Sequence, residues 1–204
     1  MPRFDSIEKY ENVNPKIVEL YAGEQVILDI GCGTGALGAR IKEINPKALV
    51  HGVDASAEAG AVARTRLDRF VNLDLDRDAL PDLGVRYGLI ILGDLLEHLK
   101  RPDIFLAALP SLMDPGCFII LSVPNIANYS IRLKLLWGEF NYSETGILDR
   151  THLRFFTYRT IVELLEQCGF RISEQRFISR FPDIFARFMF RLLAVQFILK
   201  LERK

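Results

Sequence analysis

Most features that would betray this chain's role at a glance are missing. Its three cysteines, Cys32, Cys117 and Cys168, are odd in number and far apart, which indicates neither a disulfide framework nor a zinc site. Neither sign of charge is in excess: 26 basic residues against 26 acidic ones leave no global field to draw nucleic acid, and none is expected as a partner. Repeats, low-complexity tracts and Pro/Ser-rich linkers are absent, so residues 1–204 read as one domain, long enough to bury a full core. The segment Met1-Pro2-Arg3-Phe4-Asp5 lacks the apolar core of a signal peptide, and the expected location is cytoplasmic. The apolar stretch from Phe181 to Leu201 is broken by Arg187, Arg191 and Lys200, so no transmembrane segment is expected. A core helix leading into a last strand is the expectation there, and an interfacial helix that presents a lipid-linked substrate is the alternative.

What is present is concentrated in one decapeptide, Val26-Ile27-Leu28-Asp29-Ile30-Gly31-Cys32-Gly33-Thr34-Gly35. An apolar run that breaks into glycines at alternate positions reads as a buried strand entering a tight turn. Glycine there tolerates positive φ and lets a ligand approach the main chain. Ala36 to Ile44 then reads as a helix, so backbone N–H groups and a helix N-terminus point at whatever lies above the turn. Gly33-Thr34-Gly35-Ala36-Leu37-Gly38 also meets the G-x-G-x-x-G spacing of dinucleotide sites. Its register argues against that reading. The strand ends at Ile30-Gly31, and Asp29 stands two residues before the first glycine, where it would repel a pyrophosphate but hold an α-amino group. The D-x-G-x-G-x-G pattern suits a ligand with an ammonium and no phosphates.

Strands and helices alternate on either side of this motif. Asn14-Pro15 opens a short helix through about Leu20. Ala48–Asp54, Arg69–Leu73, Tyr87–Leu92 and Gly116–Val123 read as strands, the last stopped by Pro124, with helices over Ala55–Leu67 and Pro102–Leu109. Such alternation means a parallel sheet wound on both faces, with ligands at the carboxyl ends of its strands, where the glycine turn, Asp54 and Asp74 all fall. Ile126–Trp137 is helical by pattern and Gly138–Arg150 is a loop. Thr157 caps a helix whose Ile161, Leu164, Leu165 and Cys168 recur at helical spacing, and Gly169 ends it. Phe170–Ser179 and Val195–Glu202 read as the sixth and seventh strands.

On these residues the chain resembles the class I S-adenosylmethionine-dependent methyltransferases, whose first motif has the form carried here by Asp29, Gly31, Gly33 and Gly35. The resemblance covers about residues 10–125 and implies an α/β, Rossmann-like doubly wound sheet of seven strands, mostly parallel with an antiparallel last strand. It implies S-adenosyl-L-methionine as cofactor and S-adenosyl-L-homocysteine as product. Asp29 then meets the methionine end, with Gly31 and Gly33 lining its path, and Cys32, Gly35, Ala55, Leu75 and Gly93 complete the expected cofactor site. Asp54 lies 23 residues after Gly31, near the ~20-residue spacing at which an acid reaches a ribose hydroxyl pair; a helix N-cap is its other reading. Asp74 matches the acid that accepts from the adenine amino group in similar enzymes, against a solvated turn beside Asp76, Asp78 and Asp82. Tyr10 is expected either to reach the cofactor carboxylate or to lie on the surface.

The segment Gly93-Asp94-Leu95-Leu96-Glu97-His98-Leu99 resembles one in the same superfamily written D-x-x-E-H-L. If a helical turn follows the strand, Asp94 and Glu97 share a face. His98 is then a candidate base for a hydroxyl acceptor, with Asp94 beside it; bracing the loop is its other reading. Asp94, Glu97 and His98 could instead hold a divalent ion, as in some quinone-ring methyltransferases, but no fourth ligand is in view and no metal site is expected. Residues 126–156, with Trp137, Phe140 and Tyr142, read as a substrate lid in which His152 is the alternative base and Asp149 or Arg150 contacts substrate hydroxyls. Arg154 and Phe155 read as local braces. The expected activity is methyl transfer to a hydroxyl of a small molecule such as a sugar, glycan precursor or quinol. A regulatory module that binds the cofactor without catalysis is one alternative. A methyltransferase acting on protein or RNA is another, disfavoured because no Asn-Pro-Pro-aromatic tetrad follows the fourth strand and no basic stripe is evident.

Overall fold

A computed structural model describes residues 11–204. Its seven strands are β1 (Val26–Ile30), β2 (Leu49–Asp54), β3 (Arg69–Asn72), β4 (Tyr87–Gly93), β5 (Met113–Pro124), β6 (Phe170–Ser179) and β7 (Ala194–Arg203). They form one sheet in the order β3-β2-β1-β4-β5-β7-β6. Neighbours from β3 to β5 pair in parallel, whereas β7 runs antiparallel to both β5 and β6. The architecture is the expected mostly parallel, doubly wound sheet with an antiparallel last strand.

The continuous apolar runs arise because both faces are covered. Successive strand residues point to opposite sides, so Ile90, Leu92, Ile119 and Leu121 join one core while Leu89, Ile91 and Ile120 join the other. The first core is closed by Ile161 and Leu165 of α6 (Tyr158–Gln167) and by Phe105 and Leu106 of α4 (Pro102–Ala108). The second is closed by Ile17 and Leu20 of α1 (Pro15–Leu20), Ile41 of α2 (Ala36–Ile44) and Ala63 of α3 (Ala57–Arg66). Chain direction across the sheet reverses between β1, which leads towards β2 and β3, and β4, which leads towards β5. A crevice opens at the carboxyl ends of such a pair.

Three expectations need correction. β5 does not stop before Pro124; the proline pairs with Gln196 of β7. The last β4–β5 pair is Gly93 with Ser122, so Pro124 has no β4 neighbour awaiting its missing N–H. The tail does not form a core helix either. It folds as two short helices, α7 (Asp183–Phe188) and α8 (Phe190–Leu193), which leave Ile184, Phe188 and Met189 exposed. Buried Ala186, and Phe190 against Tyr158 and Phe197, anchor this segment. The helix α5 (Tyr129–Leu136) starts later than its pattern suggests, because Asn128 caps it by accepting from Ser130 N at 3.0 Å. Among the described residues, no helix is long and apolar enough to cross a membrane.

The last strand also reaches back to the first helix. Lys200, buried on β7, directs Nζ to the carbonyl of Leu20 at 3.2 Å, with Glu24 at 3.5 Å and the Phe118 ring beneath it at 4.3 Å. The charge is paired and the stem is packed, which is how a lysine survives burial.

Candidate active site

A cleft of about 540 Å³ lies over the carboxyl ends of β1, β2 and β4. Its floor is the glycine turn. Gly31 and Gly33 sit at φ +78° and +52°, and the turn is stitched to β2 by Gly31 N and Cys32 N donating to Val53 O at 2.8 and 3.1 Å. A Cβ on Gly31 would stand 3.2 Å from Leu95 Cδ1, so side chain and backbone conformation both exclude larger residues there.

Asp29 lines this cleft yet is only 3 % exposed, and its Oδ2 has no hydrogen-bond partner among the described residues. Burial, with Asp54 close by, raises its carboxyl from 3.8 to about 7. A buried carboxyl oxygen left without a donor is suited to receive one from a ligand. Asp54 is placed differently. Its Oδ2 accepts from Gly33 N at 2.8 Å and its Oδ1 from Ser56 N at 2.7 Å, which fixes the carboxylate at the rim. Ser56, not Asp54, is the N-cap of α3, so the capping alternative for Asp54 does not hold.

Cys32, Ala55, Leu75 and Gly93 also line the cleft. Burial, reinforced by Asp29 and Asp54, pushes the Cys32 thiol up and keeps it protonated. Asp74 lines the cleft and also organises a turn, accepting from Asp76 N at 3.0 Å and pairing with Arg77 at 3.3 Å. Gly35 lies off the lining. It is the N-cap of α2 at φ +73°, and a Cβ there would come within 2.9 Å of Leu67 Cγ, so this glycine answers to packing. Tyr10 lies outside the described residues.

At the other end of the cleft, β4 runs into a 3₁₀ turn over Leu96–His98. Asp94, at φ +49°, faces the cleft; its N donates to Ser122 Oγ, and its Oδ1 accepts from Ser122 Oγ and from Gln196 Nε2. Glu97 is 1 % exposed and neither of its carboxyl oxygens has a partner. The two carboxylates therefore do not share a face, because the tight turn drives one into the core. Burial first, then Asp94, pushes the Glu97 carboxyl well above the usual range.

The neighbour that spacing could not supply is His152. Its ring meets that of His98 edge-on at 4.9 Å, and one ligand atom each of Glu97, His98 and His152 lie within 4.8 Å of one another. The gathered trio thus replaces the Asp94–Glu97–His98 set suggested by sequence. His98 Nδ1 lies 3.3 Å from Thr151 O and His152 Nδ1 lies 3.1 Å from Ile147 O. A carbonyl only accepts, so each Nδ1 donates to it; His98 lines the cleft, whereas His152 does not. Burial lowers His152, which favours its neutral form.

Both histidines depend on the segment 126–156. Its ends are held together by the Asn125–Phe156 bridge, and Leu153 N and Arg154 N both donate to Glu97 O, at 2.8 and 2.9 Å. Phe140 packs edge-on against Phe155, which in turn meets His152. Asp149 and Thr151 line the cleft; Arg150 does not and pairs with Glu144 at 2.7 Å, so it is not placed to meet a substrate there. Arg154 donates to Lys100 O, 54 residues away, so it braces the segment across the fold and not locally. Sequence reading missed Ser122 and Gln196 as the partners of Asp94. It read Asn14 only as a cap, whereas Asn14 also lines the cleft and donates to Gln196 Oε1 at 2.9 Å.

A family model described as a methyltransferase domain matches residues 9–175. The ubiquinone biosynthesis O-methyltransferase of Burkholderia pseudomallei is 26 % identical over 161 residues, 76 % of this chain and 68 % of that protein. Its counterpart in a Chelativorans species is 28 % identical over 140 residues, 67 % of this chain and 54 % of that protein. Among solved structures, an S-adenosylmethionine-dependent methyltransferase from Archaeoglobus fulgidus superposes with a TM-score of 0.67 at 18 % identity, over 98 % of this chain and 95 % of that one. One from Mesorhizobium loti gives 0.65 at 17 % identity, over 93 % and 96 %. The chain belongs to the methyltransferase-domain family and is a class I S-adenosylmethionine-dependent methyltransferase.

Proposed function

We propose that the cleft holds S-adenosylmethionine along the strand ends and that the enzyme methylates a hydroxyl of a small molecule. The observation that carries the cofactor placement is the partnerless Oδ2 of Asp29, which an α-ammonium would satisfy. Gly31 and Gly33 keep the approach clear, Asp54 would accept from the ribose hydroxyls at the rim, and Asp74 with Leu75 would border the adenine. When bound, the cofactor supplies an electrophilic methyl group, so the protein's task is alignment and exclusion of water.

The second half of the site supports a hydroxyl as acceptor. His98 lines the cleft beside Asp149 and Thr151, with the His152 ring packed edge-on against it, so that the Nε2 of His98 would take the proton of an acceptor hydroxyl as it attacks. Segment 126–156 acts as a lid that positions both rings through its carbonyls. The O-methyltransferase names of the relatives agree with this acceptor. A second reading rests on Glu97: its two unpartnered oxygens, with the histidine nitrogens beside them, form a ligand set for a divalent cation that would help ionise the hydroxyl.

Calorimetry tests the placement. Asp29→Asn and Asp54→Ala should each weaken S-adenosylmethionine binding, and unchanged affinity in both would sink it. Turnover on a panel of phenolic and sugar hydroxyls, repeated after exhaustive chelation, separates the two readings: the histidine mechanism survives the chelator and the metal-assisted one does not.

A further inference from the structure

Large hydrophobic side chains that stand clear of the core are concentrated between Leu133 and Met189. Most of them lie on or beside two helices hung from one edge of the sheet. β5 runs out towards α5 and β6 towards α7, so both helices lie beyond the strands' carboxyl ends, the same edge at which the cleft opens. The Tyr129 ring, at the start of α5, meets Phe181, just ahead of α7, edge-on at 5.3 Å. Asn128 fastens the same corner by donating to Leu193 O and Ala194 O. From this junction α5 carries Leu133, Leu136 and Trp137 outward, and the tryptophan is 83 % exposed. The neighbouring helix ends in Phe188, 89 % exposed, followed by Met189. None of these side chains lines the cleft.

The charges on this face differ from those elsewhere. Arginines on the rest of the surface mostly pair with carboxylates, from Arg40–Glu43 and Arg66–Glu11 to Arg159–Glu163 and Arg171–Glu202. Arg132, Lys134, Arg180 and Arg187, on or beside α5 and α7, have no carboxylate partner among the described residues. Cations without a carboxylate partner among the described residues, interleaved with tryptophan, phenylalanine and leucine, match the boundary between headgroups and acyl chains, where rings enter the apolar layer and cations meet lipid phosphates.

We propose that the α5–α7 face docks on an anionic lipid bilayer. The occupant follows from the chemistry of the face: apolar tips to enter hydrocarbon, and Arg132, Lys134, Arg180 and Arg187 in excess over the neighbouring Glu139, a positive charge that an anionic surface complements. Docking in this way turns the cleft's edge of the sheet towards the membrane. The assignment is independent of the acceptor's identity and of the base.

The face carries its own reporter, because Trp137 is the chain's single tryptophan. Vesicles of phosphatidylcholine and phosphatidylglycerol should co-float with the protein, shift its tryptophan emission to the blue and, with brominated acyl chains, quench it. Vesicles of phosphatidylcholine alone should bind much less, and raising the salt to ~0.5 M should release most of the protein. Lys134→Gln combined with Arg187→Gln should lower partitioning roughly thirtyfold, about fivefold for each cation removed. Phe188→Glu should also weaken it, and all these variants should keep the wild-type affinity for S-adenosylmethionine, which shows that they fold. The proposal fails if the wild type ignores anionic vesicles, or if the double variant binds them equally well. It also fails if Trp137 is already blue-shifted without lipid in a dimer seen by sedimentation.

Discussion

The two ends of the cleft are built differently. At the glycine turn, function rests on backbone geometry and on one buried carboxyl, all set by residues close together in sequence on β1 and β2. At the histidine end, His98 and His152 come from segments far apart, and loop carbonyls of Thr151 and Ile147 hold their rings. A strand-bound site tolerates little change, whereas a site hung on a loop can be re-aimed by altering the loop. The architecture thus separates a fixed half, where we propose the cofactor binds, from an adjustable half, proposed to meet the acceptor.

The most severe way to test this division is to remove both rings. His98→Ala with His152→Ala should reduce turnover by about 10²–10⁴, the usual worth of a positioned base, while calorimetry shows cofactor affinity unchanged. A large loss of affinity in that variant would merge the two halves. Asp29→Asn is the converse experiment. It should weaken S-adenosylmethionine by roughly 10- to 100-fold, as expected for a lost charge-assisted contact, and leave turnover at saturating cofactor close to wild type.

A smaller effect lies in the pH dependence. Burial holds Asp29 at about 7 in the ligand-free protein, well above its unfolded value. A carboxyl raised on folding favours the folded chain at low pH and loses that contribution as pH rises through about 7. An ammonium partner has the opposite preference, since it favours the ionised carboxylate. Affinity for S-adenosylmethionine should therefore rise by about tenfold per pH unit on approaching pH 7 and level off above it. Calorimetry across that range checks this, and Asp29→Asn should flatten the curve. The smallest expected change belongs to the outer face: Phe188→Ser should shift unfolding free energy by no more than about 0.5 kcal/mol in denaturant titration. A loss of several kcal/mol would mean that the face is packed after all.

The same division explains what the residues disclosed before any coordinates. The glycine turn, the acids at the strand ends and the alternation of strands and helices are written in local spacing, so they were legible. The Thr157 cap and the Gly169 stop were legible for the same reason, whereas the reciprocal bond with Thr160 was not read. Pairings across the fold were not. Nothing near Asp94 names Ser122 or Gln196, and the spacing of Asp94 and Glu97 suggested a shared face that a 3₁₀ turn denies them. The tail misled because its apolar content suits a buried helix, whereas Phe181, Ile184, Phe188 and Met189 found no core left to enter.

The bond from Asn14 to Gln196 and the bond from Lys200 to Leu20 each span most of the chain, with separations of 182 and 180 residues. Because Gln196 also holds Asp94, one late strand fastens both the first helix and the wall of the cleft. A polypeptide emerging from the ribosome displays every glycine and acid of the cofactor end long before that strand exists. Contacts of such long range form late and slow the search for the native state. In the order of assembly, the cleft whose motif is read first is the part that must be finished last.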